Sequence, residues 1–285
     1  MKKPVERIPV QKTYKLYIGG AFPRTESGRF YRVEDGRGKL LANMCQASRK
    51  DLRNAVVAAR KAFSDWAGRS AYNRGQILYR VAEILETRRD QFIAELKSQG
   101  LPIAAARGEI DQSIEQLVYY AGWADKYQQL FSTVNPVSSS HFNFSILEPT
   151  GVVGILAPAT PSLLGIVATM APVVCGGNSC VVLASETKPL CSITLAEVLE
   201  TSDFPAGVVN ILTGSRSELL EQFATHMDIN AIVYCGDDAT ELRVVQEGAS
   251  LNVKRIVHCT DTVATDPYRI LEAQEVKTTW HPIGA

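Results

Sequence analysis

Between Gly151 and Asp261, short β-branched apolar runs alternate with helix-length segments. The stretch opens with GVVGILAPATPSLLGIVATMAPVVCGGNSCVVLASETKPL and continues through FPAGVVNILTG, INAIVYCGDDATELRVV and NVKRIVHCTD. Continuous apolar strands separated by helices predict strand-helix-strand units, and those units demand a parallel sheet covered on both faces. The fold class that follows is α/β, and this stretch is where function is expected.

The first half of the chain reads as mostly helical. Tyr14–Gly20 (YKLYIGG) predicts a short strand ending in a tight Gly-Gly turn. A helix is expected from Ser48 to Trp66, with Ser48 as its cap and Asp51 completing a capping box. Leu52, Val56, Ala59, Phe63 and Trp66 recur at helical spacing along it. A second helix is expected from about Ser70 towards Lys97, with Ile77, Val81, Ile84 and Leu85 facing in. A third runs from about Pro102 to Leu130, after the break at Gly100-Leu101-Pro102. Arg88, Arg89 and Asp90 read as a solvated helix face. Tyr119, Tyr120, Trp123 and Tyr127 read as core packing. Asn135–Ser140 reads as a turn. His141–Leu147 then alternates, Phe142, Phe144 and Ile146 against Asn143 and Ser145, as a strand with two unlike faces.

Bulk properties exclude several function classes. Thirty basic residues balance thirty acidic ones, so no global field recruits nucleic acid or an anionic membrane. The longest near-apolar run, Leu163–Val174, is too short for a membrane-spanning helix. MKKPVERIPVQKTYK has no apolar core and does not read as a secretory signal. The six cysteines are scattered, without CxxC or Cys/His spacing. No metal site is expected, and reduced thiols in a cytoplasmic protein are.

Along nearly all its length the chain resembles the aldehyde dehydrogenase family. The matching segments are LYIGG, Val56–Trp66 (VVAARKAFSDW), ARGEI at 106–110 and YYAGWADK at 119–126. They continue, in order, through EPTGVVGIL, SLLG, GGNSCVVL, PAGVVNILTG and NVKRIV to LEAQEVKTTW near the end. The resemblance implies a Rossmann-like NAD(P)-binding-type domain over 1–130 and 150–262. It also implies a small antiparallel oligomerisation sheet built from 131–149 and 267–285. In that sheet Gln274–Pro282 would pair with the Phe142–Ile146 strand. Phe142, Phe144, Ile146, Val276, Thr278 and Trp280 would form the oligomer interface.

Carried over position by position, the family's functional residues mostly fail. Thr160 stands where the resemblance implies an oxyanion-binding asparagine, so the amide donor is lost. The ribose-binding lysine falls on Leu183, while the glutamate three residues later survives as Glu186. The phosphate-binding turn reads Tyr234-Cys235-Gly236-Asp237-Asp238. Its two carboxylates suit a helix start and repel a pyrophosphate there. The general-base motif aligns with Cys259-Thr260-Asp261-Thr262, putting a cysteine in place of the glutamate. His258, its neighbour, is expected on the opposite strand face, so Cys259 reads as a thiol without a base.

Only 24 residues follow Asp261 (285 − 261), so the resemblance implies that the catalytic domain and its nucleophilic cysteine are absent. In this the chain is similar to the non-catalytic second domain of tandem double-domain aldehyde dehydrogenases. The expectation is a catalytically inactive relative that forms a homo-oligomer, a dimer in the first instance, or partners an active aldehyde dehydrogenase. No catalytic residue is assigned. Glu186, Gly214 and Gly236 would line a degenerate cofactor groove in which NAD(P) binds weakly or not at all. The alternatives are a nucleotide-binding regulatory module, an NAD(P)-dependent oxidoreductase acting on an aldehyde, and a chain whose partner completes the site in trans.

Overall fold

The alternation between Gly151 and Asp261 becomes five parallel strands: β5 (Val152–Leu156), β6 (Ser179–Leu183), β7 (Val209–Leu212), β8 (Ala231–Tyr234) and β9 (Arg255–His258). Their order across the sheet is β7-β6-β5-β8-β9. The helices between them are α6 (Ser162–Cys175), α7 (Leu190–Glu200), α8 (Arg216–Thr225) and α9 (Ala239–Ser250). The computed structural model describes residues 10–284. The stretch before Val10, including most of the segment judged above for a secretory signal, and Ala285 lie outside the described residues.

Each strand divides its side chains between two cores, as the two-residue period requires. Val153, Ile155, Cys180, Val182, Val209, Ile211, Ala231 and Val233 join the core beneath α6 and α7. Val152, Leu156, Val181, Leu183, Leu212, Ile232 and Tyr234 join the other, together with Leu52, Val56 and Ala59 and with Leu219 and Phe223 of α8. Burial on both faces accounts for the unbroken apolar strands.

The N-terminal half holds α1 (Arg49–Gly68), α2 (Ala71–Thr87), α3 (Arg89–Ser98), α4 (Ile103–Trp123) and α5 (Tyr127–Phe131). The expected capping box is present: Ser48 Oγ accepts from the Lys50 and Asp51 amides, and Asp51 Oδ2 accepts from the Ser48 amide at 2.8 Å. Two expected helices are each broken once. The second ends at Thr87, where the C-cap Arg88 leaves helical geometry and starts α3. The third ends at Trp123, and α5 follows as a separate turn of helix. The apolar period runs through both breaks, which is why it did not reveal them. Arg88 and Arg89 are not a purely solvated face: Arg88 bonds Glu197 of α7 and Arg89 bonds Asp111 of α4. Tyr14–Gly20 makes only isolated bridges, with Met44 and Ile211 among the partners, and turns at Gly19 and Gly20, both with positive φ. A hairpin of β1 (Phe30–Glu34) and β2 (Leu40–Cys45) was not anticipated.

A separate three-stranded antiparallel sheet runs β10-β4-β3, comprising β3 (Thr133–Asn135), β4 (His141–Pro149) and β10 (Gln274–Pro282). β4 and β10 pair from Gln274↔Pro149 to Pro282↔His141, the pairing expected above. After β9 the chain reaches β10 through residues 259–273, which include the short helix α10 (Tyr268–Leu271). That passage is tied to α4: Gln116 Nε2 donates to the Thr262 and Val263 carbonyls, and Tyr120 Oη donates to the Asp266 carbonyl, all at 3.1 Å.

The candidate interface residues do not share a surface. Antiparallel partners lie on one face, and Val276, Thr278 and Trp280 pair with Leu147, Ser145 and Asn143. Phe142, Phe144 and Ile146 therefore occupy the other face, opposite His281, Thr279 and Lys277. The Ser145–Thr278 hydroxyl contact at 2.8 Å fits this arrangement. The alternation also has an unexpected sense: Asn143 is buried at 3% exposure while Phe142 is 45% exposed.

Candidate functional site

In an open parallel sheet, a ligand crevice forms where successive strands depart in opposite directions. Here that point lies between β5 and β8, and it is filled by a side chain of this protein. Arg216, the first residue of α8, reaches across it. Its Nη1 donates to the Ala157 carbonyl after β5 at 2.9 Å, and its Nη2 donates to the Cys235 carbonyl after β8 at 2.8 Å. Its Nε pairs with Glu241 of α9 at 2.9 Å, and the guanidinium stacks 5.0 Å from the centre of the Tyr234 ring. Tyr234 Oη lies 3.1 Å from the same Glu241 carboxylate.

The helix N-termini along this edge are occupied as well. A free helix N-terminus is a ready anion site, because its first amides lack partners and carry the positive end of the dipole. At α6, Glu109 of α4 accepts from the Leu163 and Leu164 amides at 2.7 and 3.3 Å. At α8, Glu186 accepts from the Arg216 amide at 3.0 Å. At α9, Asp238 accepts from Thr240 and Glu241 at 2.7 and 3.3 Å, the capping role read from the sequence. Those amide bonds hold the Asp238 carboxyl below its ordinary range. Three of this protein's own carboxylates thus take up amides at these helix starts.

The sequence candidates scatter around this edge. Glu186 is exposed and spent on the α8 amide. It borders a groove of about 370 Å³ lined by residues 183–187 and Ser215–Ser217. Gly214 does not line that groove: it is buried, and a Cβ there would stand 3.0 Å from the Ala47 amide nitrogen. Gly236 lies under the plug instead, where a Cβ would meet Tyr234 Oη at 2.8 Å and Arg216 at 3.2 Å. Thr160 is exposed and Leu183 is buried in the core. Asp237 is exposed. A larger concavity of about 830 Å³ lies elsewhere, between α2 and α4, away from every strand end. Among the described residues no group of three or more His, Cys, Asp or Glu is placed to hold a metal, and no helix is long and apolar enough to cross a membrane.

The chain order of motifs, the five-stranded sheet and the β4–β10 pair together specify one superfamily, and residues 22–272 match the model of the Aldehyde dehydrogenase family. The chain belongs to the aldehyde dehydrogenase family. It is 33% identical over 254 residues to DhaS of Bacillus subtilis (strain 168), covering 87% of this chain and 50% of that protein. It is 32% identical over 258 residues to Omega-crystallin of Enteroctopus dofleini, covering 88% and 51%. Among solved aldehyde dehydrogenase folds, PnpE from Pseudomonas sp. WBC-3, determined in complex with nicotinamide adenine dinucleotide, superposes with a TM-score of 0.82 at 30% identity. That match covers 86% of this chain and 50% of PnpE. The chain spans about half the length of the curated family members it matches first.

Cys259, which the resemblance set against the general base, has a neighbour that sequence reading missed. His258 turns away as expected: its Nε2 lies 2.8 Å from the Gly236 carbonyl and its ring packs 5.7 Å from Tyr234. Cys259 faces the other core, on the same side as Cys235, and its thiol donates to the Asp261 carbonyl at 3.3 Å. The neighbouring Cys235 thiol lowers Cys259 and Arg269 lowers it further, with burial opposing; the same neighbourhood and burial raise Cys235. Arg216, Glu241 and Glu109 were also missed. Glu109 lies inside the ARGEI motif, but nothing local says that it reaches α6. Arg216 and Glu241 are 25 residues apart and meet because α8 and α9 lie side by side in the fold.

Proposed function

We propose that this family member is catalytically inactive and works as an oligomerising scaffold, or as a regulatory partner of an active aldehyde dehydrogenase, in the cytoplasm. The observation that carries the reading is the self-occupied crevice: Arg216 spans the point between β5 and β8, and Glu109, Glu186 and Asp238 hold the helix N-termini around it. A dinucleotide would have to displace an arginine with three polar partners and then oppose three carboxylates. Residues 1–130 and 150–262 act in this reading as an NAD(P)-binding-type domain retained for its shape. The strands within 131–149 and 267–285 act as the oligomerisation element. The direct passage from β9 to β10 through residues 259–273 supports it, because it leaves no room between them for a catalytic domain.

Calorimetric titration with NAD and NADP at millimolar concentration should give no heat of binding, and the purified chain should form no NADH from aldehydes. Light scattering after size exclusion should give a dimer or larger. A strict monomer that binds NAD and oxidises an aldehyde would sink the proposal. A regulatory module that binds a nucleotide is the second reading. It rests on the groove beside Glu186, and calorimetric heat without turnover would favour it.

A further inference from the structure

We infer that Cys235 and Cys259 form a reversible intramolecular disulfide that closes when Cys259 meets a peroxide. Register carries the argument. β8 and β9 are parallel partners aligned Tyr234↔His258, and each cysteine is the next residue of its strand. The ladder continues through them, since the Cys235 amide bonds the Leu156 carbonyl at 3.0 Å and the Cys259 amide bonds the Tyr234 carbonyl at 2.9 Å. Neighbouring strands lie about 4.7–4.9 Å apart, within the Cα separations a disulfide spans. Both side chains belong to the α6-side core, so they leave neighbouring strands on the same face of the sheet.

The two thiols also differ as an attacking and a resolving cysteine must. Cys259 is only partly buried at the start of the 259–273 passage, while Cys235 is buried. Arg269 adds positive charge beside Cys259, and thiolate character with exposure is what makes a cysteine react first. Cys175, Cys180 and Cys191 lie fully buried, with thiols pushed up by desolvation, and carry neither property.

The chemistry balances with hydrogen peroxide as the oxidant. The Cys259 thiolate attacks one peroxide oxygen, the O–O bond breaks, and hydroxide leaves to be protonated to water. Cys259 is then a sulfenic acid. Cys235 sulfur attacks the Cys259 sulfur, the S–O bond breaks, and the departing hydroxide takes the Cys235 proton as a second water. Two thiols have lost two electrons to one peroxide. A dithiol reductant reverses the reaction by exchange. The Cys235 carbonyl holds Arg216, so the bond would form at the edge of the plugged crevice.

Hydrogen peroxide at a few equivalents should remove two of the six thiols titrated in denaturant, and dithiothreitol should restore them. Peptide mapping should recover a 235–259 cross-link in monomeric chain. Cys235→Ala should leave a sulfenic acid on Cys259, trapped by dimedone, and Cys259→Ser should leave its five remaining thiols reduced under the same exposure. Circular dichroism on both variants separates this outcome from unfolding. Retention of all six thiols, a cross-link elsewhere, or overoxidation of Cys259 with Cys235 still reduced would overturn the inference. So would equal peroxide reactivity in Cys259→Ser.

Discussion

Arg216 is the residue on which the cofactor edge turns. Its guanidinium has three polar partners and an aromatic face, and only about a fifth of the side chain meets water. Replacing it leaves Glu241 without its cation and two carbonyls without donors, and unmade bonds cost more than made ones contribute. Arg216→Met should therefore destabilise the fold by about 1.5–3 kcal/mol, the usual range for hydrogen bonds to a charged group, towards the low end because the site is partly wet. Urea denaturation with an unchanged slope would check it. A loss below about 0.5 kcal/mol would mean the plug is ornamental. This residue was illegible in the sequence because its partners come from β5, β8 and α9, three elements brought together only by strand order. Asp238 was legible because capping is a local matter, settled within three residues.

At the scale of elements, local signals and long-range packing separate clearly. The α1 start was readable in full, since Ser48 and Asp51 satisfy each other's amides without outside help. Ser48→Ala should cost about 1 kcal/mol. In a domain of this size that lowers Tm by about 2–4 °C, and calorimetric melting would test it. The helix should persist, because Leu52, Val56, Ala59 and Trp66 are fully buried beneath it. Each large apolar side chain so buried contributes about 1.5–3 kcal/mol, more than the cap. The break at Arg88 was hidden for the converse reason. No glycine or proline marks it, and α3 is held by contacts from other helices, Arg88 to Glu197 and Arg89 to Asp111.

For the molecule as a whole, the small sheet is the surface on which the proposed oligomer would form. Val134, Phe142, Phe144 and Ile146 line a shallow, mostly apolar hollow of about 310 Å³ on one face. The opposite face is more self-satisfied: Trp280 packs edge-on to His141, and Thr278 bonds Ser145. The exposed edge of β10 adds unpaired backbone to both. A second copy docked through the first face makes an asymmetric prediction. Phe142→Glu should lower the mass seen by light scattering towards the monomer, while Val276→Glu on the other face leaves the oligomer largely intact. Both positions are exposed, so neither change should cost much folding stability, and a melt would confirm it. If the Val276 variant alone dissociates, the interface lies on the other side.

The sequence by itself determined the parallel sheet and the α1 and α9 caps, while the β4–β10 pairing came from the resemblance to the family. The sheet and the caps follow from local periodicity and from capping within one turn, which need no knowledge of distant neighbours. Only the tertiary structure decided that Arg216 fills the crevice and that Glu109 and Glu186 hold helix ends far along the chain. It also decided that Gly214 packs on Ala47, that the two sets of interface residues lie back to back, and that Cys259 faces Cys235. Each of these depends on which strands are neighbours and on the register between them. That register is set by the burial of two whole cores, to which no single segment holds the key.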